Sequence, residues 1–166
     1  MEAYVFQERD TEMKYFVMLI MLILAVLITI SGCSITHNVN TDSTKAFKKD
    51  LMKATDTIKS VDITFTRPSV TYKVNMEKEP TQEVLDTILS KAKSFTTVEN
   101  IDEIARKVGW LSRVSRVYIR INTDNDDAIE YEYYTSYFKT ARAEDTEGNI
   151  DAYQTWNSSS QNSVMP

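Results

Sequence analysis

A single uncharged apolar run near the N-terminus, Phe16–Ile30, most constrains what this chain can become. It contains 15 consecutive residues without a charge, and no comparable run follows it. A transmembrane helix needs roughly 18 to 20 such residues, whereas a secretory signal peptide needs only about 7 to 15. The run therefore predicts an exported chain whose folded part begins after it.

The last residue of this run begins the sequence Ile30-Ser31-Gly32-Cys33, and Cys33 is the only cysteine of the chain. A branched aliphatic residue, two small residues and a cysteine resemble the lipobox of bacterial lipoproteins. The resemblance implies that a signal peptidase recognises Ile30, Ser31 and Gly32 and cuts before Cys33, whose thiol carries a diacylglyceryl group. Two acyl chains anchor a protein stably. We therefore expect a palmitate-labelled protein that is lipid-anchored in the cell membrane and faces the extracytoplasmic side.

Two features of this region leave alternatives open. Tyr15 and residues 31–35 would extend the apolar run to a marginal transmembrane span, so an uncleaved helix is the rival interpretation. Residues 1–15 are net negative, although a signal peptide favours a positive start. Translation from Met13 would give a short basic leader with Lys14, and we expect the true start there.

Cleavage before Cys33 leaves about 134 residues, which suits one domain. It removes four acidic and two basic residues and leaves 20 acidic and 17 basic ones, a net charge of −3. No basic excess remains to bind a phosphate backbone, so we expect no nucleic-acid partner. The composition predicts residues 33–42 as a polar tether, 43–156 as a single domain and 157–166 as a disordered tail.

Hydrophobic periodicity gives the order of elements in this domain. Helical spacing and strand alternation follow each other as helix, two strands, two helices, and two or three strands, with Thr81 and Asn100 as helix starts and Gly109 as a helix stop. Such an order favours an α+β fold, in which an antiparallel sheet of four to five strands carries its helices on one face. The order is written α-β-β-α-α-β-β(-β).

The first two strands predict a hairpin around Pro68. Pairing Phe65 with Val70 and Ile63 with Tyr72 places the apolar residues of both strands on one face. Pro68 then lies in the turn, where its missing N–H removes no ladder hydrogen bond. One long strand that bends at Pro68 is the alternative.

A second hairpin is predicted around residues 122–127. Pairing Ile121 with Ile129 keeps the apolar residues on one face. That register places Arg120 opposite Glu130, and Tyr118 opposite Glu132. Opposite charges in such positions contribute about 0.2–1 kcal/mol.

The polar face of this second hairpin is the candidate partner-binding face. Tyrosine and arginine are enriched at the residues that dominate binding energy in protein interfaces. If helices cover only the other face of the sheet, these side chains are accessible. The candidate residues are Arg116, Tyr118, Arg120, Glu130, Glu132 and Tyr134.

Other kinds of site are less well supported. The carboxylates of Asp124–Asp127 lack the glycine and ligand spacing of a calcium loop, so a solvated turn is the preferred interpretation over a calcium site. The only histidine, His37, lies in the predicted tether, and no nucleophile–base pattern is visible. We therefore expect no enzyme, no cofactor and no metal.

These observations lead to one functional expectation and one alternative. The chain is expected to be an extracytoplasmic, membrane-anchored lipoprotein that acts as a protein-interaction module. An envelope-assembly subunit or an inhibitor or immunity-type protein would fit, with an envelope, secreted or phage protein as partner. The alternative is a lipoprotein that binds a small ligand or a glycan.

Overall fold

The structure is a computed structural model, and it describes residues 18–21, 35–124 and 128–159. The chain divides into two compact units, residues 1–34 and 35–166, and residues 18–21 of the first are helical. The predicted lipobox, Ile30–Cys33, and the predicted start at Met13 lie outside the described residues. No helix in the described part of the chain combines the length and apolar character needed to span a bilayer.

Residues 35–124 and 128–159 form three α-helices and six strands, in the predicted order except for an additional strand before the first helix. The helices are α1 (Asp42–Met52), α2 (Gln82–Phe95) and α3 (Val98–Lys107). The strands are β1 (Thr36–Asn38), β2 (Ile58–Thr66), β3 (Ser69–Met76), β4 (Arg116–Asn122), β5 (Tyr131–Ser136) and β6 (Trp156–Ser158). A short 3₁₀ turn covers Glu147–Asn149.

The strands form one sheet in sequence order, β1-β2-β3-β4-β5-β6. Four of the neighbouring pairs are antiparallel, but β3 and β4 are parallel. The expected α+β class is confirmed, whereas an antiparallel sheet of four to five strands is wrong in both respects. A tight turn reverses the chain between β2 and β3, but α2 and α3 return it to the starting end before β4, so that pair must be parallel.

The first predicted hairpin is confirmed in register. Phe65 pairs with Val70 and Ile63 with Tyr72, and Pro68 lies in the turn. Because one face of both strands is buried, a slip by a single residue would expose the whole apolar set.

The second predicted hairpin is correct in its strands but wrong in its register. Ile121 pairs with Tyr131 instead of Ile129, a shift of two residues. The loop between the strands is therefore longer than predicted, and the side-chain amide of Asn122 donates to the Ala128 carbonyl across it at 2.7 Å. A shift of two leaves every side chain on its original face, so apolar alternation does not distinguish the two registers.

Both predicted domain boundaries need correction. Thr36–Asn38 of the expected tether pair with the end of β2 as strand β1, and Val39 is only 1% exposed. At the other end, Asn157 and Ser158 belong to β6, and the Ser159 amide donates to the Glu132 carbonyl at 3.0 Å. Edge strands this short leave little compositional signal, because only one or two of their residues reach the core.

Local signals fix most helix ends. Thr81 caps α2 as predicted, and Gly109 follows α3 with a φ of +71°, the left-handed conformation for which glycine is suited. The start predicted at Asn100 is wrong by about one turn. Thr97 caps α3 instead, accepting from the Asn100 amide at 3.2 Å.

The core lies between the helices and one face of the sheet. Phe47 of α1 stacks on Phe95 of α2 with 4.2 Å between ring centroids, and both rings contact Tyr72 of β3. Burying each side chain of this size contributes about 1.5–3 kcal/mol. Its large, fully buried members on the sheet and the helices include Ile63, Tyr72, Ile88, Ile101, Ile104, Ile119, Ile121 and Tyr133.

Candidate functional site

The opposite face of the sheet carries none of these three helices, and we call it the open face. Strand alternation sends Val117, Ile119 and Ile121 of β4 into the core and leaves the residues between them on the open face. The same alternation applies to the neighbouring strands. The half-buried or exposed side chains of the open face include Thr64, Thr71, Lys73, Arg116, Tyr118, Arg120, Glu132, Tyr134 and Ser136.

Five of these side chains form a contiguous group, the Arg-Tyr cluster: Arg116, Tyr118, Arg120, Glu132 and Tyr134. Tyr118 and Tyr134 are direct cross-strand partners, with ring centroids 6.2 Å apart. The Arg116 guanidinium lies 5.8 Å from the Tyr118 centroid and 5.2 Å from that of Tyr134. Arg120 lies 5.0 Å from the Tyr118 centroid on its other flank. Cations at such distances are attracted to the ring faces.

Glu132 holds the second arginine of the cluster in place. Arg120 Nε donates to one carboxylate oxygen at 2.6 Å, and Ser159 Oγ donates to the other at 2.6 Å. Burial opposes ionisation of this carboxyl, but the hydrogen bonds from Ser159 and Arg120 and the charges of Arg120 and Arg116 outweigh it, and its pKa is lowered. Glu132 is therefore an ionised structural partner, not a general base poised near neutral pH.

Arg116 is held differently from Arg120. Its Nη1 donates to the Tyr118 hydroxyl at 3.1 Å, and it makes no ion pair with any carboxylate of the described residues. The side chain is exposed. Arg116 thus presents a positioned guanidinium with donors to spare.

The sixth predicted residue, Glu130, does not join the cluster. Its carboxylate accepts from the Thr123 amide at 2.9 Å across the β4–β5 loop. The predicted pairing of Arg120 with Glu130 is therefore wrong, and Arg120 lies opposite Glu132 instead. The two-residue shift in register accounts for both differences.

A groove of about 800 Å³ begins at the cluster and extends past the start of β4. Its floor includes Arg116, Tyr118 and Tyr134, and its wall includes residues 138–141. The wall lies in a polar segment that strand and helix periodicity did not mark. The groove presents the ring faces of the two tyrosines and the cations of Arg116 and Lys139. Serine and threonine hydroxyl groups complete the polar lining: Ser69, Ser115, Ser136, Thr140 and Thr155.

The one carboxylate that lines this groove, Asp151, is already engaged. Its two oxygens accept from the Thr155 amide at 2.8 Å and from the Thr155 hydroxyl at 2.7 Å. The lining still carries a net positive charge, with Arg116 and Lys139 against the single carboxylate of Asp151.

Catalytic and metal chemistry find little support in the described residues. They contain no group of three or more His, Cys, Asp or Glu side chains placed to hold a metal ion. The predicted turn Asp124–Asp127 falls outside them at residues 125–127.

Tyr131 donates to the Glu79 carboxylate at 2.6 Å, and this hydrogen bond, with burial, raises the pKa of Tyr131 to about 12. Burial likewise raises the pKa of Tyr72 and of Tyr153, so all three remain neutral structural groups.

No protein-family model, no curated protein and no solved structure gives a significant match to this chain.

Proposed function

We propose that this chain is a lipoprotein anchored through Cys33 on the extracytoplasmic side of the membrane, and that its domain captures a protein partner on the open face. The observation that carries the second half of the proposal is the Arg-Tyr cluster. Its aromatic and guanidinium groups are accessible on a sheet face without helices.

The cluster has the chemistry of a binding hot spot. Tyrosine and arginine are the residue types most enriched among side chains that dominate interface energies. Glu132 fixes Arg120, and the two arginines flank the tyrosine pair, so little side-chain entropy remains to be lost on binding. Arg116 makes no ion pair within the described residues, and its charge favours a partner that offers a carboxylate at this point.

The anchor half of the proposal is supported by the lipobox resemblance of Ile30–Cys33 alone. An anchored, non-enzymatic domain with a preorganised face suits an envelope-assembly subunit or an inhibitor or immunity-type protein. Its partner would be another envelope, secreted or phage protein.

The groove supports one alternative function. Its volume of about 800 Å³ falls within the roughly 300–1,000 Å³ that is typical of small-ligand sites. Tyrosine faces and surrounding hydroxyl groups are suited to a sugar ring. A glycan or other small ligand would thus use the same residues, Tyr118 and Tyr134, in place of a protein partner.

Crosslinking in intact cells, followed by mass spectrometry of the captured proteins, tests the proposal. Tagged full-length chain should capture one stoichiometric envelope, secreted or phage protein. The double variant Tyr118→Ala, Tyr134→Ala should reduce that capture at least tenfold without a matching loss of Tm.

The matched control lies on the same face but away from the cluster. Thr64→Ala on β2 should leave capture unchanged. Equal capture by the double variant and the control would reject the open face as the binding surface. Capture of nothing beyond neighbouring lipoproteins, together with a glycan-dependent rise in Tm, would favour the alternative.

A further inference from the structure

The fold brings several connections to the same end of the sheet. β1 begins at Thr36, whose hydroxyl lies 2.8 Å from that of Thr66 at the end of β2. The β2–β3 turn at Arg67 and Pro68 follows directly, and the Pro68 carbonyl accepts from the Ser115 amide just before β4. We call this the proximal end, and it comprises Ile35, the turn 67–68, the last two residues of α3 and the α3–β4 connection 108–115.

The proximal end carries the most exposed large apolar side chain of the domain's described residues. Leu111 is 96% exposed, and Ile35 is 65% exposed. Trp110, next to Leu111, is only half-buried. Its ring packs 5.9 Å from that of Phe65, and the Arg67 guanidinium lies 5.3 Å above it. A single exposed leucine is ordinary, but Leu111 lies in the α3–β4 connection next to Trp110, whose ring is packed between Phe65 and Arg67.

Several cations lie at the same end of the domain as Leu111. Arg106 and Arg113 line a shared groove with Leu111, and exposed Lys107 follows Arg106 along α3. Two carboxylates lie in the same groove: Asp102, which pairs with Arg113, and Asp145. The exposed cations at this end are Arg67, Arg106, Lys107 and Arg113.

The opposite end of the sheet has the reverse charge. It contains the start of β2, the end of β3 and the β4–β5 loop. Three exposed cations lie there, Lys53, Lys59 and Lys78, and they are outnumbered by four exposed carboxylates: Asp56, Glu77, Glu79 and Asp124. The described domain therefore has a basic, apolar-tipped end and an acidic end.

Chain connectivity links the proximal end to the lipid anchor. Ile35 follows Cys33 by two residues, which span at most about 7 Å even when fully extended. Because β1 begins at Thr36, no long tether separates the anchor from the sheet. Acyl chains on Cys33 would hold Ile35 at the depth of the lipid headgroups.

We propose that the proximal end is a membrane-contact surface, a proposal that rests on the lipid anchor at Cys33. Leu111 and Ile35 enter the interfacial region of the bilayer, and Trp110 lies at headgroup depth, where tryptophan is enriched in membrane proteins. The surrounding cations bind the phosphates of anionic lipid, which attract basic segments close to the membrane. The domain thus stands directly on the bilayer with its acidic end outward.

Fluorescence quenching by brominated lipid tests this surface. The processed, lipidated protein, which begins at Cys33, is reconstituted in vesicles of phosphatidylethanolamine and phosphatidylglycerol at 3:1. The acyl chains of these lipids are brominated close to the headgroup. The chain has two tryptophans, so Trp156→Phe leaves Trp110 as the only reporter. Trp110 should lose at least half of its emission, and Leu111→Asp in the same background should restore most of it.

Two controls separate this inference from the anchor itself. In Trp110→Phe, the buried Trp156 should remain unquenched. Protein that floats with the vesicles while Trp110 stays unquenched overturns the contact surface and leaves the anchor intact. Protein that does not float overturns the anchor, and the contact surface with it.

A photocrosslinking residue in place of Leu111 gives a second test in intact cells, without changing either tryptophan. A lipid adduct at this position supports the proposal. A protein adduct without lipid overturns it, because Leu111 would then belong to a protein interface. The matched control is the same residue in place of Glu77 at the acidic end, which should give no lipid adduct.

Discussion

Tyr118 and Tyr134 lie directly opposite each other on adjacent antiparallel strands, with 6.2 Å between their ring centroids. The observed register thus pairs two aromatic residues at this position, and it pairs the opposite charges of Arg120 and Glu132 at the next position on the same face. Cross-strand aromatic and ionic pairs each contribute about 0.2–1 kcal/mol. The same two pairs that stabilise the β4–β5 hairpin therefore also assemble the proposed binding surface.

Glu132→Gln should destabilise the domain by about 1 kcal/mol at pH 7, because Arg120 and Ser159 lose an ionised acceptor. The folded-state pKa of Glu132 lies below its ordinary value of 4.5. Its contribution is therefore present above pH 4.5 and is lost as the pH falls through the folded pKa.

Thermal unfolding of wild type and Glu132→Gln between pH 7 and pH 3 measures this effect. The difference in Tm should be largest at neutral pH and should shrink as the pH falls below 4.5 and through the lower folded-state pKa, where Glu132 becomes neutral like glutamine. A difference in Tm that is constant with pH would show that the carboxylate charge does not contribute.

The two hairpins show how far the sequence predicts this fold. Around Pro68 the short turn excludes a shift of two residues and burial of one face excludes a shift of one, so the turn and the alternation together predicted the register. Between β4 and β5 the loop is held by the Asn122 and Glu130 side chains, contacts between a strand end and a loop that have no periodic signature. The strands were predictable and their register was not.

The candidate site was predictable to a similar extent. Alternation along β4 and β5 placed five of the six expected residues on one face, and they lie together. The Ser159 contact with Glu132 and the groove wall at 138–141 were not predicted. Both depend on irregular chain folding back onto the sheet, which composition alone marks only as polar.

Cys33→Ala should abolish palmitate labelling, because the thiol is the proposed acceptor of the diacylglyceryl group. The variant chain should be released from the membrane or remain unprocessed. Metabolic labelling with palmitate, followed by fractionation, measures both. Ser34→Ala is the matched control and should keep its label. Undiminished labelling of Cys33→Ala would reject the lipobox interpretation.

Thr135→Val should leave stability unchanged or raise it by up to about 1 kcal/mol. The Thr135 hydroxyl is buried and has no hydrogen-bond partner within the described part of the chain. Replacing an unsatisfied buried hydroxyl by a methyl group of the same shape removes a desolvation cost.

Thr96→Val is the matched comparison for this substitution. The buried Thr96 hydroxyl donates to the Ala92 carbonyl at 2.7 Å and is hydrogen-bonded to the Tyr72 hydroxyl at 3.2 Å. Its loss should cost about 1–2 kcal/mol, because the Tyr72 hydroxyl is left unpaired in the core. Urea unfolding measures both variants, and equal destabilisation would show that Thr135 has a partner in solution.

Tyr131 should titrate about two pH units above an ordinary tyrosine, since its pKa is raised from 10.0 to about 12. The hydrogen bond to Glu79 and the partial burial of the ring both favour the neutral phenol. The folded pKa exceeds the unfolded one, so this contribution to stability is complete below pH 10 and is lost as the pH rises towards 12.

Ultraviolet titration of wild type against Tyr131→Phe isolates the phenolate signal of this residue. Glu79→Gln should move that signal to lower pH, and an unchanged titration would show that the carboxylate does not hold the Tyr131 proton.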